Sequence, residues 1–193
     1  VLGRYVEAIM DPRRPESASL VFFGALIAAA GWGFFTVLGS VAGGSAPSAF
    51  DLAVHQAMFS LRNPLADTPM AFLATLGDAA VLAPAVLAVF GWLWWRKRRV
   101  AAWHWLAAPA FALFLTWVLG YSLDMPKPPA ATAVAGFSFP SATVTLATVV
   151  YGFFAVLIAR ELPGRRRVWP YLVAALAVGL LGFSRLYLGA HWL

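Results

Sequence analysis

Residues 79–123 decide the fold: they read AAVLAPAVLAVFGWLWW, then RKRR, then VAAWHWLAAPAFALFLTWVLGYSL. Two long apolar runs thus flank four consecutive basic residues, Arg96–Arg99. Each run is close to the roughly 20 residues that a helix needs to cross the hydrocarbon core of a bilayer. The stretch therefore predicts two transmembrane helices joined by a short basic turn.

Three further apolar runs bring the number of predicted spans to five: Leu20–Val41, Ala79–Trp95, Val100–Leu123, Ser141–Ala159 and Val168–Leu188. The composition agrees, because 62% of the residues are hydrophobic and only 11% are charged, whereas a soluble domain carries about 25% charged residues. The absence of cysteine excludes disulfides and thiolate chemistry. We predict an all-α, polytopic transmembrane helix bundle, a single membrane domain over residues 1–193 that we expect to be incomplete at its C-terminus.

The basic residues predict the orientation of this bundle. Most of the 14 lysines and arginines precede the first span or lie in the turns at 96–99 and 160–167. Because positively charged loops stay in the cytoplasm, we expect a bacterial inner-membrane protein with a cytoplasmic amino terminus. The net charge of +6 then reflects membrane orientation, and nucleic acid is not an expected partner. Tryptophans beside the basic turns, including Trp105, are interpreted as an interfacial aromatic belt, with core packing as the alternative for some of them.

The long segment between the first two spans, residues 42–77, contains an amphipathic pattern. Apolar residues at helical spacing form one stripe and polar residues the other: Phe50, Val54, Met58 and Leu61 against Asp51, His55 and Arg62. This pattern predicts an interfacial helix on the outer side, ended by Arg62-Asn63-Pro64 and followed by a second short helix over 65–76. The first helix could bind a partner or cover the bundle as a lid.

Arg185 is the strongest candidate for a functional residue, since an ionisable side chain inside a span is functional by default. Ser184 precedes it and His191 follows six residues later, so the three could hold a phosphate that the imidazole attacks. The alternative is an arginine that reaches the interface and a histidine that caps a helix. Ser141, at the start of a span, could bind an anion as a helix N-cap. Lys127 could line the same mouth or be solvated in its proline-rich loop.

Four stretches resemble a known family: residues 51–67, residues 76–81, residues 151–162 in part, and Ser184–Trp192. They are similar to the type 2 phosphatidic acid phosphatase superfamily, most nearly the phosphatase-like domain fused to DedA-type bacterial membrane proteins. The resemblance implies a six-helix bundle, of which five spans are present here, with an active site at the outer face. It also implies that Ser184 and Arg185 bind phosphate and that His191 is the nucleophile that forms a phosphohistidine. The aspartate that orients this histidine in the family would lie beyond Leu193.

The other two motifs of the family are degenerate here. Where the second motif reads Pro-Ser-Gly-His, this chain reads Pro140-Ser141-Ala142-Thr143, so a threonine replaces the histidine that protonates the leaving group. Alignment of Lys127-Pro128 with the Arg-Pro of the first motif puts Gly120 at the position of its lysine. Lys127 keeps a positive charge but lacks the guanidinium fork. The expected site has therefore lost a general acid, a cation and a guanidinium.

Two functions remain open from the sequence. The leading hypothesis is a catalytically impaired protein that serves as a lipid-binding or structural subunit of a membrane complex. The alternative is an active lipid phosphatase that hydrolyses a phosphomonoester or diphosphate of a polyprenyl or glycerolipid through His191. The expected partners are a membrane lipid or lipid phosphate and other proteins of the complex. We expect no cofactor and no metal, since no group of His, Asp and Glu has metal-ligand spacing. Asp78 is interpreted as a helix cap.

Overall fold

The structure, a computed structural model, describes residues 15–44, 47–128 and 137–192. These residues form seven α-helices: α1 (Pro15–Ala42), α2 (Ala49–Ser60), α3 (Pro64–Thr75), α4 (Ala79–Trp95), α5 (Arg99–Leu123), α6 (Ala142–Glu161) and α7 (Val168–Tyr187). The chain divides into two compact units, Val1–Ala46 and Pro47–Leu193, which are described separately. A single domain over residues 1–193 stays a prediction.

Five helical stretches of the described residues are long and apolar enough to cross a membrane: Gly24–Ala42, Pro64–Trp95, Arg99–Leu123, Ala142–Glu161 and Gly164–Tyr187. The predicted all-α transmembrane fold class with five spans is therefore confirmed. The boundaries agree closely, except that the first helix begins earlier, at Pro15, and that α3 and α4 follow each other within one candidate span. Large apolar side chains cover the outside of these helices, for example Ile27 at 73% and Phe111 at 64% exposure, as expected of surfaces that lipid solvates.

In the second unit, α6 is the central helix and packs against α4, α5 and α7, while α7 also contacts α2 and α3. The core between them is formed by Leu82, Leu93, Trp105, Val150 and Leu181 together with neighbouring small residues.

Trp105 is 1% exposed, so its interpretation as an interfacial residue is wrong. It falls on the inward face of α5, where buried residues recur every three or four positions. Its indole N–H donates to the carbonyl of Val86 over 2.7 Å. The rings of Phe153 and Phe154 lie edge-on to it, with centroid distances of 4.7 and 5.2 Å.

The predicted amphipathic helix corresponds to α2, which ends before Arg62 as expected. Ser48 and Asp51 form a capping box at its start, and Asn63 caps α3 by accepting a hydrogen bond from the Ala66 N–H. Tyr187 joins this helix pair to the bundle. Its hydroxyl accepts from the Asn63 N–H over 3.1 Å and lies 3.0 Å from the Asp67 carboxylate. The α2–α3 turn is thereby held against the end of α7.

Gly77 allows the turn between α3 and α4 to approach α6 and α7 closely. A Cβ atom at this position would lie 2.4 Å from Cδ1 of Leu181 and 2.6 Å from Cγ2 of Thr143, well inside van der Waals contact. The Tyr151 hydroxyl fixes the same turn by donating to the carbonyl of Leu76 over 2.8 Å. The start of α4 is therefore pressed against the ends of α6 and α7.

Candidate functional site

Three helix ends meet at the end of the bundle opposite the basic turns at 96–99 and 164–167. Asp78 precedes α4, Thr143 lies in the first turn of α6, and Arg185 lies in the last turn of α7. A cleft of about 250 Å³ opens beside them. It is lined by Ser138, Phe139, Ser141, Val144, Gly182, Arg185, Leu186, His191 and Trp192.

Arg185 is 9% exposed, and one nitrogen of its guanidinium makes hydrogen bonds to other residues of the protein. Its Nη2 donates to the carboxylate of Asp78, to the Thr143 hydroxyl over 3.1 Å and to the Ala74 carbonyl over 3.4 Å. Its Nε is buried and has no hydrogen-bond partner among the described residues. An unpaired buried donor is costly, so this nitrogen is an unusual feature of a residue that lines the cleft.

His191 reaches the cleft through the turn that follows α7. Gly189 has φ of +67° there, a conformation that glycine adopts without strain. The Nδ1 of His191 lies 2.8 Å from the carbonyl oxygen of Ser138, and its Nε2 lies 3.3 Å from the hydroxyl of Ser141. A carbonyl only accepts hydrogen bonds, so Nδ1 carries the proton and the lone pair of neutral His191 is on Nε2.

The surroundings of His191 favour this neutral form. Burial is the main cause that holds the pKa of His191 below its usual 6.5, and the positive charges of Arg185 and Lys127 act in the same direction. The hydrogen bond to Ser138 opposes them. A neutral imidazole with its lone pair on Nε2, here in contact with the Ser141 hydroxyl, is the form that can attack an electrophile.

Two serines of the loop before α6 border the histidine. The hydroxyl of Ser141 accepts a hydrogen bond from the Val144 N–H at 3.5 Å, so it caps α6 while it also contacts Nε2 of His191. The Oγ atom of Ser138 is buried and has no partner within the described ranges. Two residues that line the cleft, Ser138 and Arg185, thus each have a buried polar atom without a hydrogen-bond partner in the described part of the chain.

The remaining predicted positions differ in how they relate to the cleft. Ser184 is fully buried, and its hydroxyl donates to the carbonyl of Leu181 within α7 over 2.7 Å. The side chain of Thr143 accepts from Arg185. Gly120 is buried, and a Cβ there would lie 2.3 Å from Cγ and Cδ2 of Phe137. Phe137 therefore fills the space into which a longer side chain at position 120 would extend.

Comparisons with a family model, a curated protein and a solved structure all find similarity to PAP2-type phosphatases. Residues 121–193 match the model of the PAP2 superfamily. Phosphatidylglycerophosphatase B of Bacillus subtilis (strain 168) is 26% identical over 163 residues, which cover 82% of this chain and 80% of that protein. The crystal structure of a transmembrane PAP2-type phosphatidylglycerolphosphate phosphatase from Bacillus subtilis matches with a TM-score of 0.71 and 25% identity, over 82% of each chain. The chain is thus similar to PAP2-type phosphatases, over residues 121–193 for the family model and over most of its length for the Bacillus subtilis phosphatase.

Most of the residues singled out by the PAP2 resemblance lie together in space. Ser141, Arg185 and His191 line one cleft, Thr143 contacts Arg185, and Lys127 acts electrostatically on His191. The roles of these residues, and the narrower likeness to DedA-fused domains, stay predictions.

Asp78 and Ser138 were not assigned to this PAP2 site from the sequence. Asp78 occupies the N-cap position of α4, but its side chain makes no capping hydrogen bond within the described chain and pairs with Arg185 instead. Asp78 is therefore the N-cap residue of α4, as predicted, while its side chain binds Arg185 rather than the helix. A signal existed: an arginine inside a span needs a partner, and Asp78 is an acid at the matching end of another span. Nothing in the local sequence marks Ser138.

Proposed function

We propose that this protein binds the phosphate group of a membrane lipid in the cleft beside Arg185 and is catalytically impaired. The observation that carries the proposal is that two residues of the cleft lining, Arg185 and Ser138, each have a buried polar atom without a partner among the described residues, and that Arg185 and Lys127 both place positive charge near His191. Hydrogen-bond donors and positive charge together suit a phosphate. The family supports a lipid phosphate as the source of that group.

This chain has Thr143 where the second motif of the family has histidine, and this difference supports impaired turnover. An alkoxide that leaves phosphorus needs a proton, and a threonine hydroxyl does not supply one near neutral pH. The loss of general acid catalysis costs about 100- to 10,000-fold in rate. Two further features act in the same direction: Phe137 occupies the space beside Gly120, and Arg185 is already hydrogen-bonded to Asp78 and Thr143.

An active lipid phosphatase is the second candidate, and the geometry of His191 favours it. The Nδ1–H is held by Ser138, so Nε2 is presented to the cleft as a nucleophile. In this reaction Nε2 would bond to phosphorus while the bond to the lipid oxygen breaks, and water would protonate that oxygen. A second water would then split the phosphohistidine and release inorganic phosphate. The Bacillus subtilis proteins to which the chain is similar are by name a phosphatidylglycerophosphatase and a phosphatidylglycerolphosphate phosphatase.

The setting we infer is a bacterial inner membrane, with a cytoplasmic amino terminus and the cleft open to the periplasm. The basic turns at 96–99 and 164–167 lie at the opposite end of the bundle from the cleft, which supports this orientation. A protein that binds lipid without turnover can serve as a subunit of a larger membrane complex. If it does, gentle purification should retain a defined partner, and recovery only as a monomer would argue against the subunit role.

Binding and turnover can be separated by one pair of assays on the purified full-length protein. Dihexanoyl phosphatidate should bind, and Arg185→Gln should abolish binding, while His104→Ala, a histidine near the opposite end of α5, should not. Release of inorganic phosphate from phosphatidate or undecaprenyl diphosphate should be negligible. Rapid release of inorganic phosphate that is lost in His191→Ala and kept in His104→Ala would overturn the proposal of impaired catalysis and establish an active phosphatase.

A further inference from the structure

Asp78 is a charged residue that contacts Arg185 of the cleft lining, and the proposed chemistry assigns it no part. It starts α4 with N-cap dihedral angles, φ of −70° and ψ of 145°. Aspartate at this position normally accepts a hydrogen bond from its own helix. Here its carboxylate instead accepts from Nη2 of Arg185, at the same nitrogen that donates to Thr143. The side chain is 42% exposed, whereas that of Arg185 is 11% exposed.

This arrangement places a negative charge beside the cation that would hold the phosphate. Arg185 and Lys127 both contribute positive potential at His191, and the Asp78 carboxylate carries the opposite charge in direct contact with Arg185. The buried Nε of Arg185 has no hydrogen-bond partner among the described residues, whereas Nη2 of the same guanidinium pairs with the Asp78 carboxylate. The cleft is therefore less positive than its two cations alone would make it.

We propose that Asp78 is an internal counter-ion that sets the charge of the lipid phosphate that the cleft accepts. With Asp78 ionised, the cleft favours a singly charged phosphate, such as the phosphodiester of a glycerophospholipid, over a doubly charged phosphomonoester. This inference rests on the proposed lipid-phosphate binding and names its substrate class. A phosphodiester ligand also agrees with a site that lacks the acid needed for rapid monoester cleavage.

The proposal makes a quantitative claim, because Coulomb energy is proportional to the product of the two charges. Removal of the Asp78 charge changes the binding free energy of a dianion by twice as much as that of a monoanion. If Asp78→Asn improves the affinity for a monoanion about threefold, it should therefore improve the affinity for a dianion about ninefold. Asparagine is a favoured N-cap residue, so the start of α4 is retained.

The experiment measures dissociation constants for two water-soluble lipids at pH 8. Dihexanoyl phosphatidylglycerol carries one phosphate charge, and dihexanoyl phosphatidate carries nearly two, since the second pKa of a phosphomonoester is about 6. The proteins are the wild type, Asp78→Asn, Asp78→Ser as a second uncharged N-cap variant, and Asp67→Asn. The last is a matched control, because Asp67 loses an equal charge on the same side of the bundle while it contacts Arg62 and Tyr187 outside the cleft lining.

The wild type should bind phosphatidylglycerol more tightly than phosphatidate. Both Asp78 variants should shift this preference toward phosphatidate by at least about threefold. In each variant the factor by which phosphatidate affinity rises should be about the square of the factor for phosphatidylglycerol. Asp67→Asn should leave the preference unchanged. Equal gains for both lipids, weaker binding of both, or the same shift in Asp67→Asn would overturn the role of Asp78. If Arg185→Gln binds both lipids as well as the wild type does, the proposed function itself fails, and the inference fails with it.

Discussion

Gly120 and Phe137 should behave as one unit, and substitution of Gly120 alone should destabilise the protein. In Gly120→Ala the new methyl carbon would lie 2.3 Å from two ring atoms of Phe137 and 2.8 Å from its Cβ. Carbon atoms prefer about 3.5–4.0 Å, so the ring must retreat by more than about 1 Å. Overpacking of this kind costs about 1–3 kcal/mol. In the background of Phe137→Ala the obstacle is gone, and the same substitution should cost little.

The measurement is a double-mutant cycle on the free energy of unfolding, followed by denaturant titration in mixed detergent micelles. Coupling between Gly120→Ala and Phe137→Ala should be about 1–3 kcal/mol. Gly152→Ala is the matched control, because a Cβ there meets no atom within 4 Å among the described residues and alanine favours a helix. It should be neutral or stabilising. Independent effects of the two substitutions would refute the idea that Phe137 occupies the space beside Gly120.

Three further predictions concern the bundle, its orientation and His191. Tyr187→Phe should lower the free energy of unfolding by about 1–3 kcal/mol, because it removes the hydroxyl that holds the α2–α3 turn, whereas Tyr121→Phe, at an exposed tyrosine, should not. Single cysteines are clean probes in this cysteine-free chain: Arg166→Cys should resist a membrane-impermeant thiol reagent in intact cells and Asp124→Cys should react, and the reverse pattern would contradict the orientation. The lowered pKa of His191 means that the unfolded chain takes up this proton first as pH falls below about 6.5. Wild-type protein should therefore lose more stability than His191→Gln between pH 7 and pH 5, and equal losses would argue against the buried neutral histidine.

Hydropathy was sufficient to predict the membrane helices because the bilayer imposes both a length and a composition on them. The same argument could not separate Trp105 from the tryptophans near it. All of them lie beside basic turns, and only the helical phase of α5, with its buried positions three or four residues apart, distinguishes the core residue. Hydropathy also could not reveal that Gly77 lets α3 and α4 turn tightly against α6, since that depends on where Leu181 and Thr143 lie.

The candidate site was predictable only where its residues form a contiguous motif. Ser184, Arg185 and His191 are close in sequence, and the resemblance identifies them together. Asp78 is 107 positions from Arg185, and its role depends on the meeting of two helix ends. The buried Ser184 illustrates the opposite case, since its residue type suits phosphate while its hydroxyl donates within its own helix.

The degenerate positions are connected to one another through their contacts. Thr143 accepts a hydrogen bond from Arg185 and packs against Gly77. A Cβ atom added at position 77 would lie only 2.6 Å from Cγ2 of Thr143. A histidine at position 143 would remove that acceptor and need space beside the same turn. A lysine at position 120 would need the space that Phe137 fills. Because residues that share contacts do not act additively, a single reversion breaks an existing contact before it restores a catalytic one. Under the proposed impairment, recovery of phosphatase chemistry would therefore require Thr143→His and Gly120→Lys together with a smaller residue at Phe137.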